Sequence, residues 1–253
     1  MTALILQGRL DSSRLPRKAL LPLGSAPRDQ PMIQRVMEAL KRVPADCHIL
    51  ACPEDSLTAF TPLANAAGFE LIGGPKEDVL RRYCQAIQQI AAIQQIAAIR
   101  KYSVDWVIRA TGDNPFVFTD AAEALLREAQ ALDADYAGYS GLPCGAGVEV
   151  VKARALLQAE EEARLEMERE HVCPFLYNHP ERFLLHRPLA PILWQGPLTR
   201  LTVDTPEDYE RARALYEALS PLSPEKRSNG ETIISVYQNI FQNSNTISEG
   251  ART

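Results

Sequence analysis

The sequence lacks the motifs that would indicate several common kinds of site. Its five cysteines include no CxxC pair, so they suggest neither a disulfide framework nor a zinc site. It contains neither the P-loop pattern GxxxxGK[ST] nor the dinucleotide-binding pattern GxGxxG. Any phosphate group that this protein binds is therefore expected to be held by cationic side chains and not by a glycine-rich loop.

The chain also lacks a long apolar segment and an excess of positive charge. Its longest uncharged stretch, residues 83–99, contains five glutamines, and the apolar run at residues 3–6 is too short for a signal-peptide core. A formal net charge of −5 argues against general nucleic-acid binding, because the overall field repels polyanions. We therefore expect a cytoplasmic protein with reduced cysteines that binds neither membranes nor nucleic acids.

The composition is that of a folded α/β protein. Of the 253 residues, 46% are hydrophobic and 23% are charged, which suits a sizeable core. Apolar runs alternate with segments of helical periodicity, which predicts a mostly parallel sheet covered by helices on both faces. Strands are predicted at residues 3–6, 48–52, 70–72, 106–109, 136–137, 148–151, 183–186 and 198–203. Helices are predicted at residues 31–42, 57–67, 120–132, 160–170, 206–219 and 231–241, with a further one starting at residue 76.

The organisation changes in the second half of the chain. Three prolines divide residues 183–197 into an arm-like segment before the chain returns to the sheet. We assign residues 1–222 to a main domain that includes this arm, and residues 223–253 to a C-terminal helix and a tail that we expect to be disordered. The hexapeptide IQQIAA occurs at residues 87–92 and again at 93–98, and we interpret it as a duplication that lengthens a helix.

A basic segment, GRLDSSRLPRK at residues 8–18, directly follows the first predicted strand. Ligands of parallel α/β sheets bind at the carboxyl ends of the strands, where this segment must lie. Arg9, Arg14, Arg17 and Lys18 stand against a single acid there, and such a cluster suits a triphosphate. From composition alone, an ordinary solvated loop is an equally good interpretation.

Two aspartates follow predicted strands elsewhere. Asp113 lies in RATGDNP, residues 109–115, and a carboxylate at such a strand exit can hold Mg²⁺, although Gly-Asp-Asn-Pro is also good turn chemistry. Asp204 lies in TVDTPEDYE, residues 202–210, where Thr205, Pro206 and Asp208 are explained as a helix cap and capping box. Asp204 is left without a structural explanation. If the two strand ends are neighbours, both carboxylates converge on one divalent cation, as nucleotidyl transfer requires.

Two weaker features contain further charged residues. Glu149 stands inside the apolar run GVEVV, where an unpaired carboxylate would be costly. Arg169 and His171 belong to EREHVCPFL, residues 168–176, in front of an apolar helix end. For both features, a solvated edge or a satisfied local ion pair is the favoured explanation.

Taken in order, these segments resemble the cytidylyltransferases of the spore coat polysaccharide biosynthesis type, relatives of the CMP-N-acetylneuraminate and CMP-Kdo synthetases. The matching segments are QGRLDSSRLPRKALLPLG at residues 7–24, GGPKEDVLRRY at 73–83, IRATGDNPFV at 108–117, GVEVV at 147–151, EREHVCPFLYNHPERF at 168–183 and LTVDTPEDYERARALYE at 201–217. The resemblance implies a fold of the nucleotide-diphospho-sugar transferase type. It also implies a Mg²⁺-dependent transfer of CMP from CTP to a sugar, expected to be a 2-keto sugar acid, with release of pyrophosphate.

The resemblance assigns roles to individual residues. It implies that Asp113 and Asp204 bind Mg²⁺ and that Lys18 acts with them in catalysis. The residues implied to contact the nucleotide are Gln7, Gly8, Arg9, Ser13, Arg14, Lys18 and Arg82. Those implied to face the sugar are Glu149, Arg169 and His171.

The chain departs from the family pattern in three places. The segment between Arg82 and Arg109 is longer than usual, Cys144 and Ala146 replace polar or acidic residues, and residues 51–53 read Ala-Cys-Pro. Two other classes of protein stay open. One is a glycosyltransferase of similar architecture, which lacks support because no DxD pair follows the central strand. The other is a catalytically degenerate nucleotide-binding protein.

The arm is also expected to mediate association. Its apolar residues are Phe183, Leu184, Leu185, Ile192, Leu193 and Trp194, which is more apolar surface than a free arm should expose. Together with the dimeric habit of the resembled synthetases, this predicts a homodimer.

Overall fold

A computed structural model of the chain describes residues 1–24, 29–96, 103–196 and 198–242. The tail from Asn243, which we expect to be disordered, lies outside the described residues, as does the end of the IQQIAA repeat. No helix in the described ranges combines the length and the apolar character needed to cross a membrane.

The described residues form an α/β fold around one seven-stranded sheet, with strand order β5-β4-β1-β6-β8-β7-β9. The strands are β1 (Thr2–Gln7), β2 (Pro22–Leu23), β3 (Gln30–Pro31), β4 (Cys47–Pro53), β5 (Glu70–Gly74), β6 (Trp106–Thr111), β7 (Tyr136–Ala137), β8 (Glu149–Lys152) and β9 (Leu185–His186). Strands β5, β4, β1 and β6 run parallel, β8 is antiparallel to β6, and β2 pairs with β3 in a separate ribbon. The mostly parallel sheet expected from the sequence is confirmed.

Helices cover both faces of this sheet. They are α1 (Met32–Leu40), α2 (Leu57–Ala67), α3 (Val79–Ile96), α4 (Thr119–Leu132), α5 (Ala153–Glu162), α6 (Glu166–His171), α7 (Pro174–Tyr177), α8 (Pro206–Leu219), α9 (Pro224–Arg227) and α10 (Gly230–Phe241). Strand β1 shows why both faces are covered. Ala3 and Ile5 pack in the core beneath α3 and α5, whereas Leu4 and Leu6 pack in the core beneath α1, α2 and α4. A strand buried on both sides must be apolar throughout, as this one is.

Several helix ends follow directly from local chemistry. Helix α2 ends at Gly68, whose φ of 68° is a left-handed conformation that glycine adopts without strain. Helix α8 begins as predicted, with the Thr205 side chain accepting a hydrogen bond from the Asp208 N–H in a capping box. These boundaries are readable in sequence because they depend on neighbouring residues only.

Three predicted elements are wrong in type or length. Residues 198–203 do not form the predicted strand, apart from an isolated β-bridge between Arg200 and Cys144. The segment is held by the bonds from Leu201 N to Cys144 O (2.7 Å) and from Val203 N to Asp113 O (2.9 Å). The helix predicted at 160–170 is interrupted, because Ala163 and Leu165 adopt extended backbone angles between α5 and α6. The strand predicted at 183–186 is reduced to β9, with Phe183 buried in the core instead.

The last helix packs onto the rest of the chain. Ile233 and Ile234 of α10 are buried in a third core with residues of α8 and the segment that follows β6. The Asp120 carboxylate at the start of α4 accepts hydrogen bonds from the Asn229 side chain (2.7 Å) and from the Gly230 N–H (3.1 Å). Helix α10 is therefore anchored both by apolar burial and by a charged hydrogen-bond acceptor.

Candidate active site

The candidate site lies at the carboxyl ends of β1 and β6. These two strands are parallel neighbours, and Gln7 at the end of β1 pairs in register with Thr111 at the end of β6. The loop after β6 approaches β1 closely: the Gly112 N–H donates to Gln7 O at 2.7 Å, and a Cβ at Gly112 would lie 3.0 Å from that same oxygen. Glycine at this position lets the two strand exits meet.

Lys18 joins the two aspartates singled out in the sequence. Its ammonium donates to Asp113 Oδ2 (3.0 Å), Asp204 Oδ1 (2.8 Å) and the Val203 carbonyl (2.8 Å), and its side chain is only 9% exposed. The structure thus brings Asp113 and Asp204 together although they belong to distant segments. The segment that ends at Val203 does not form the predicted strand, and it places Asp204 beside Lys18.

Asp204 is surrounded by cations. Besides Lys18, its carboxylate contacts Arg200 (2.5 Å) and Arg14 (3.2 Å). Partial burial acts to raise the pKa of Asp204, but the hydrogen bond and charge of Lys18, with the charges of Arg14 and Arg200, outweigh it and lower that pKa. The aspartate is therefore an ionised carboxylate in this arrangement.

Arg200 and Asp208 support Asp204, a role that the sequence interpretation did not include. The Asp208 carboxylate, 3% exposed, accepts from the Asp204 N–H (3.0 Å), the Thr205 N–H (3.1 Å) and Arg200 Nε (3.1 Å). The capping box explains the hydrogen bonds between Asp208 and Thr205, but not the bond from Arg200 to Asp208. The sequence signal for this supporting role is Arg200, a cation four positions before Asp204 in a segment that is otherwise apolar or hydroxyl-bearing.

Four of the seven residues implied to contact the nucleotide lie at this centre. Gln7, Gly8, Arg9 and Lys18 line a small cavity of about 70 Å³ together with Ala19, Gly112 and Asp113. Arg14 is 62% exposed, and Arg9 and Ser13 are exposed as well. Loop cations that face solvent beside a buried lysine leave room for an anionic ligand.

Gln7 and Arg82 carry buried polar atoms with unused hydrogen-bonding capacity. Within the described residues, no partner is found for Gln7 Oε1, nor for Nε and NH2 of Arg82. Arg82 is fully buried, and its remaining nitrogen donates to Pro75 O at 2.6 Å. Buried polar atoms without partners are costly, which makes both side chains candidates for ligand contact.

A second cavity, of about 320 Å³, lies on the other side of the loop after β6. Its lining includes Thr111, Asn114, Glu149, two arginines (Arg109 and Arg187), and the hydroxyls of Tyr136, Tyr139 and Ser140. Glu149 is held by Arg109 NH1 (2.5 Å) and by the Tyr136 hydroxyl (2.8 Å). Burial, followed by the charge of Glu149, raises the pKa of Tyr136, so the phenol stays a hydrogen-bond donor.

Arg109 is the second residue that the sequence interpretation missed. It lies within β6, directly opposite Glu149 on the antiparallel neighbour β8. A charged residue at the matching position of each of two apolar strands is a signal for a cross-strand ion pair. The strand pairing was not predicted, so the signal could not be used.

Arg169 and His171 do not line the Glu149 cavity. The Arg169 guanidinium pairs with Asp78 (2.6 Å) and Glu160 (3.3 Å), and so ties α6 to the start of α3 and to α5. His171 is exposed at the end of α6. Within this single chain, Arg169 therefore forms ion pairs that join helices.

The described residues contain no cluster of three or more histidine, cysteine, aspartate or glutamate side chains that could hold a metal. Two carboxylates are sufficient for Mg²⁺ when phosphate oxygens and water complete the coordination. Asp113 and Asp204, both directed at one ammonium, fit a divalent cation of this kind.

Comparison with known proteins gives a consistent result. The sequence profile of a family described as cytidylyltransferase matches residues 3–239. The spore coat polysaccharide biosynthesis protein SpsF of Bacillus subtilis is 32% identical over 216 residues, which cover 84% of this chain and 85% of that protein.

Two solved structures share the fold. A cytidylyltransferase from Leptospira borgpetersenii superposes with a TM-score of 0.79 at 22% identity, covering 97% of this chain and 96% of that one. A CMP:2-keto-3-deoxy-manno-octonic acid synthetase, solved in complex with CTP, superposes with a TM-score of 0.62 at 18% identity, covering 85% of this chain and 97% of that one.

Asp208→Asn tests the support beneath Asp204. Burial acts to raise the pKa of Asp208, but hydrogen bonds from Asp204 N–H, Arg200 and Thr205 N–H lower it below 3.8. Ionised Asp208 therefore stabilises the fold above about pH 4, and this contribution disappears as the pH falls through the lowered value. We expect urea unfolding at pH 7 to show a loss of about 1–3 kcal/mol.

The loss should shrink steadily when the measurement is repeated below pH 4. Glu210→Gln removes the same charge from an exposed position of α8 and should change the free energy of unfolding by less than about 0.5 kcal/mol. A loss in Asp208→Asn that is equal at every pH would contradict the assignment of a lowered pKa.

Proposed function

The chain belongs to the cytidylyltransferase family and is a nucleotidyltransferase, and from this premise we propose that it transfers CMP from CTP to a 2-keto sugar acid for surface polysaccharide biosynthesis, with Mg²⁺ held by Asp113 and Asp204. The observation that carries the proposal is the convergence of these two carboxylates on Lys18 beside a basic loop. Nucleotidyl transfer requires a metal-binding carboxylate pair next to a triphosphate site.

The basic loop is proposed to bind the triphosphate. Arg9 and Arg14 are exposed on the same loop that carries Lys18, and guanidinium groups hold phosphate oxygens with paired hydrogen bonds. The unused hydrogen-bonding atoms of Gln7 and Arg82 support a role for these residues in nucleotide binding. The solved relative in complex with CTP supports cytosine as the base.

Bound Mg²⁺ would neutralise phosphate charge and polarise the α-phosphate. Asp113 and Asp204 would hold the ion, and Arg200 and Asp208 keep Asp204 in position. The acceptor hydroxyl attacks the α-phosphorus as the bond to the bridging oxygen breaks, which releases pyrophosphate and passes the hydroxyl proton to solvent.

The Glu149 cavity is proposed to bind the acceptor. It shares the loop after β6 with the phosphate side, because Thr111 and Asn114 line the larger cavity while Gly112 and Asp113 line the smaller one. Arg187 can attract the carboxylate of a sugar acid, whereas Arg109 is already paired with Glu149. The hydroxyl-bearing residues around the cavity can form hydrogen bonds with sugar hydroxyls. The synthetase for a 2-keto sugar acid among the structural neighbours supports this class of acceptor.

A pyrophosphate-release assay tests the proposal. Each of the four nucleoside triphosphates is supplied with Mg²⁺ and a panel of 2-keto sugar acids and neutral sugars. We expect release only with CTP and only when a sugar acid is present. Binding of CTP without release for any acceptor would indicate a degenerate binding protein, and release that does not depend on the base would contradict the choice of nucleotide.

Asp113→Asn and Asp204→Asn test the shared metal. Each change keeps the size of the side chain but removes one of two negative charges from the ion, so each should reduce kcat/KM by about 2–4 kcal/mol of transition-state stabilisation. The double variant should lose little more than either single variant, since both residues serve one ion.

Asp133→Asn is the matched control. Asp133 also pairs with a lysine, Lys152, but it is 80% exposed and remote from the site. The Asp133→Asn enzyme should therefore keep the wild-type activity. Additive losses in the double variant would mean that the two aspartates act independently, and the single-ion mechanism would have to be abandoned.

A homodimer is proposed to cover the arm. Leu189, Ile192 and Leu193 are 65%, 77% and 56% exposed, whereas Phe183 is buried in the core of its own chain. We expect light scattering at micromolar concentration to give the mass of a dimer, and Ile192→Glu to convert it to a monomer because a charge would enter the apolar contact. Leu132→Glu, at a 52% exposed position of α4, should remain dimeric. A monomeric wild-type protein would refute the proposal.

A further inference from the structure

Lys18 occupies the space where the proposed metal would bind. Its ammonium contacts one oxygen of each aspartate, Asp113 Oδ2 and Asp204 Oδ1, and completes its hydrogen bonds with the Val203 carbonyl. A cation coordinated by these same two oxygens could not coexist with the ammonium at hydrogen-bond distance, since like charges a few ångströms apart repel strongly at low effective dielectric constant. The lysine and the metal therefore exclude each other.

The carboxylates are already neutralised without a metal. Asp204 contacts three cations, Lys18, Arg14 and Arg200, and Asp113 contacts the first of these. These three cations stand against the carboxylates of Asp113, Asp204 and Asp208, the last of which pairs with Arg200. Metal binding in this state must overcome both the repulsion and the loss of these ion pairs.

The side chain of Lys18 borders a small space into which its ammonium could move. The small cavity lined by Gln7, Gly8 and Arg9 adjoins it on the side of the basic loop. A four-carbon stem can carry the ammonium from the carboxylates into that space, where a triphosphate would lie.

We propose that Lys18 is a placeholder cation that the divalent metal displaces, and that the triphosphate then binds both the released ammonium and the freed guanidinium of Arg14. The inference rests on the proposed function, because it needs the metal at Asp113 and Asp204. Metal alone then binds weakly, since the displaced cations find no new partner. Metal and nucleotide favour each other's binding, and the coupling is reciprocal by thermodynamic necessity.

Metal binding without nucleotide gives a direct test that does not depend on turnover. Free Mn²⁺ is measured by electron paramagnetic resonance in titrations of wild-type protein, Lys18→Met and Lys18→Arg. Removing the competing ammonium should tighten Mn²⁺ binding at least about tenfold in Lys18→Met. Lys18→Arg keeps the charge and should bind Mn²⁺ as weakly as the wild-type protein.

Lys152 provides a matched control. It is a buried lysine, 8% exposed, that contacts Asp133 (2.7 Å) and Asp135 (3.7 Å) away from the site. Lys152→Met should leave the Mn²⁺ affinity unchanged. An equal tightening in this variant would show a general effect of lost positive charge, and an unchanged affinity in folded Lys18→Met would show that lysine and metal do not compete; either result overturns the proposal.

The wild-type protein offers a second measurement in case Lys18→Met does not fold. Lysines are labelled by reductive methylation with and without saturating Mg²⁺, and the rate at Lys18 is followed by mass spectrometry. Displacement should make Lys18 several-fold more reactive while Lys152 keeps its rate. A Lys18 rate that stays constant or falls in the presence of Mg²⁺ overturns the proposal.

Asp113→Asn distinguishes this inference from the proposed function. If it leaves Mn²⁺ binding unchanged in the Lys18→Met background, the metal is not at the carboxylate pair, and the proposed function fails at its metal site. If it abolishes binding while Lys18→Met and wild-type protein bind equally, only the placeholder role of Lys18 fails.

Discussion

The ammonium of Lys18 is the point at which three distant segments of the chain meet. The basic loop after β1 supplies the lysine, the loop after β6 supplies Asp113, and the segment before α8 supplies Asp204. A buried ammonium with fewer acceptors would be strongly unfavourable, so its three contacts select one arrangement of these segments. The other residues of the site are arranged around this ion pair.

The loop after β6 divides the surface around this centre. On one side lies the small cavity with Gln7 and Lys18, and on the other lies the larger cavity with Glu149 and Arg109. The two sides differ in chemistry: solvent-exposed loop cations on the first, and a carboxylate fixed by an arginine and a tyrosine on the second. The proposed reaction between a polyphosphate and a polar acceptor would place one substrate in each of these two environments.

Structural and functional roles overlap at the start of α8. Asp208 caps the helix, as its position after Thr205 predicted, and the same carboxylate holds the backbone of Asp204 and the side chain of Arg200. Arg169 shows the reverse case, because a residue implied to face the sugar is used to join α6 to α3 and α5. A sequence motif therefore identifies candidate residues, but it does not identify the groups that each of them contacts.

The sequence by itself determined the α/β class, most helix and strand positions, the cap of α8 and the candidate pair Asp113 and Asp204, because these depend on periodicity and on residues close in the chain. Only the tertiary structure decided that Arg109 faces Glu149, that Arg200 supports Asp204 and that residues 198–203 form no strand. Each of these depends on which strands are neighbours and on hydrogen bonds between distant segments. Local pattern does not determine such contacts, since the same residues could pair differently in another arrangement of the sheet.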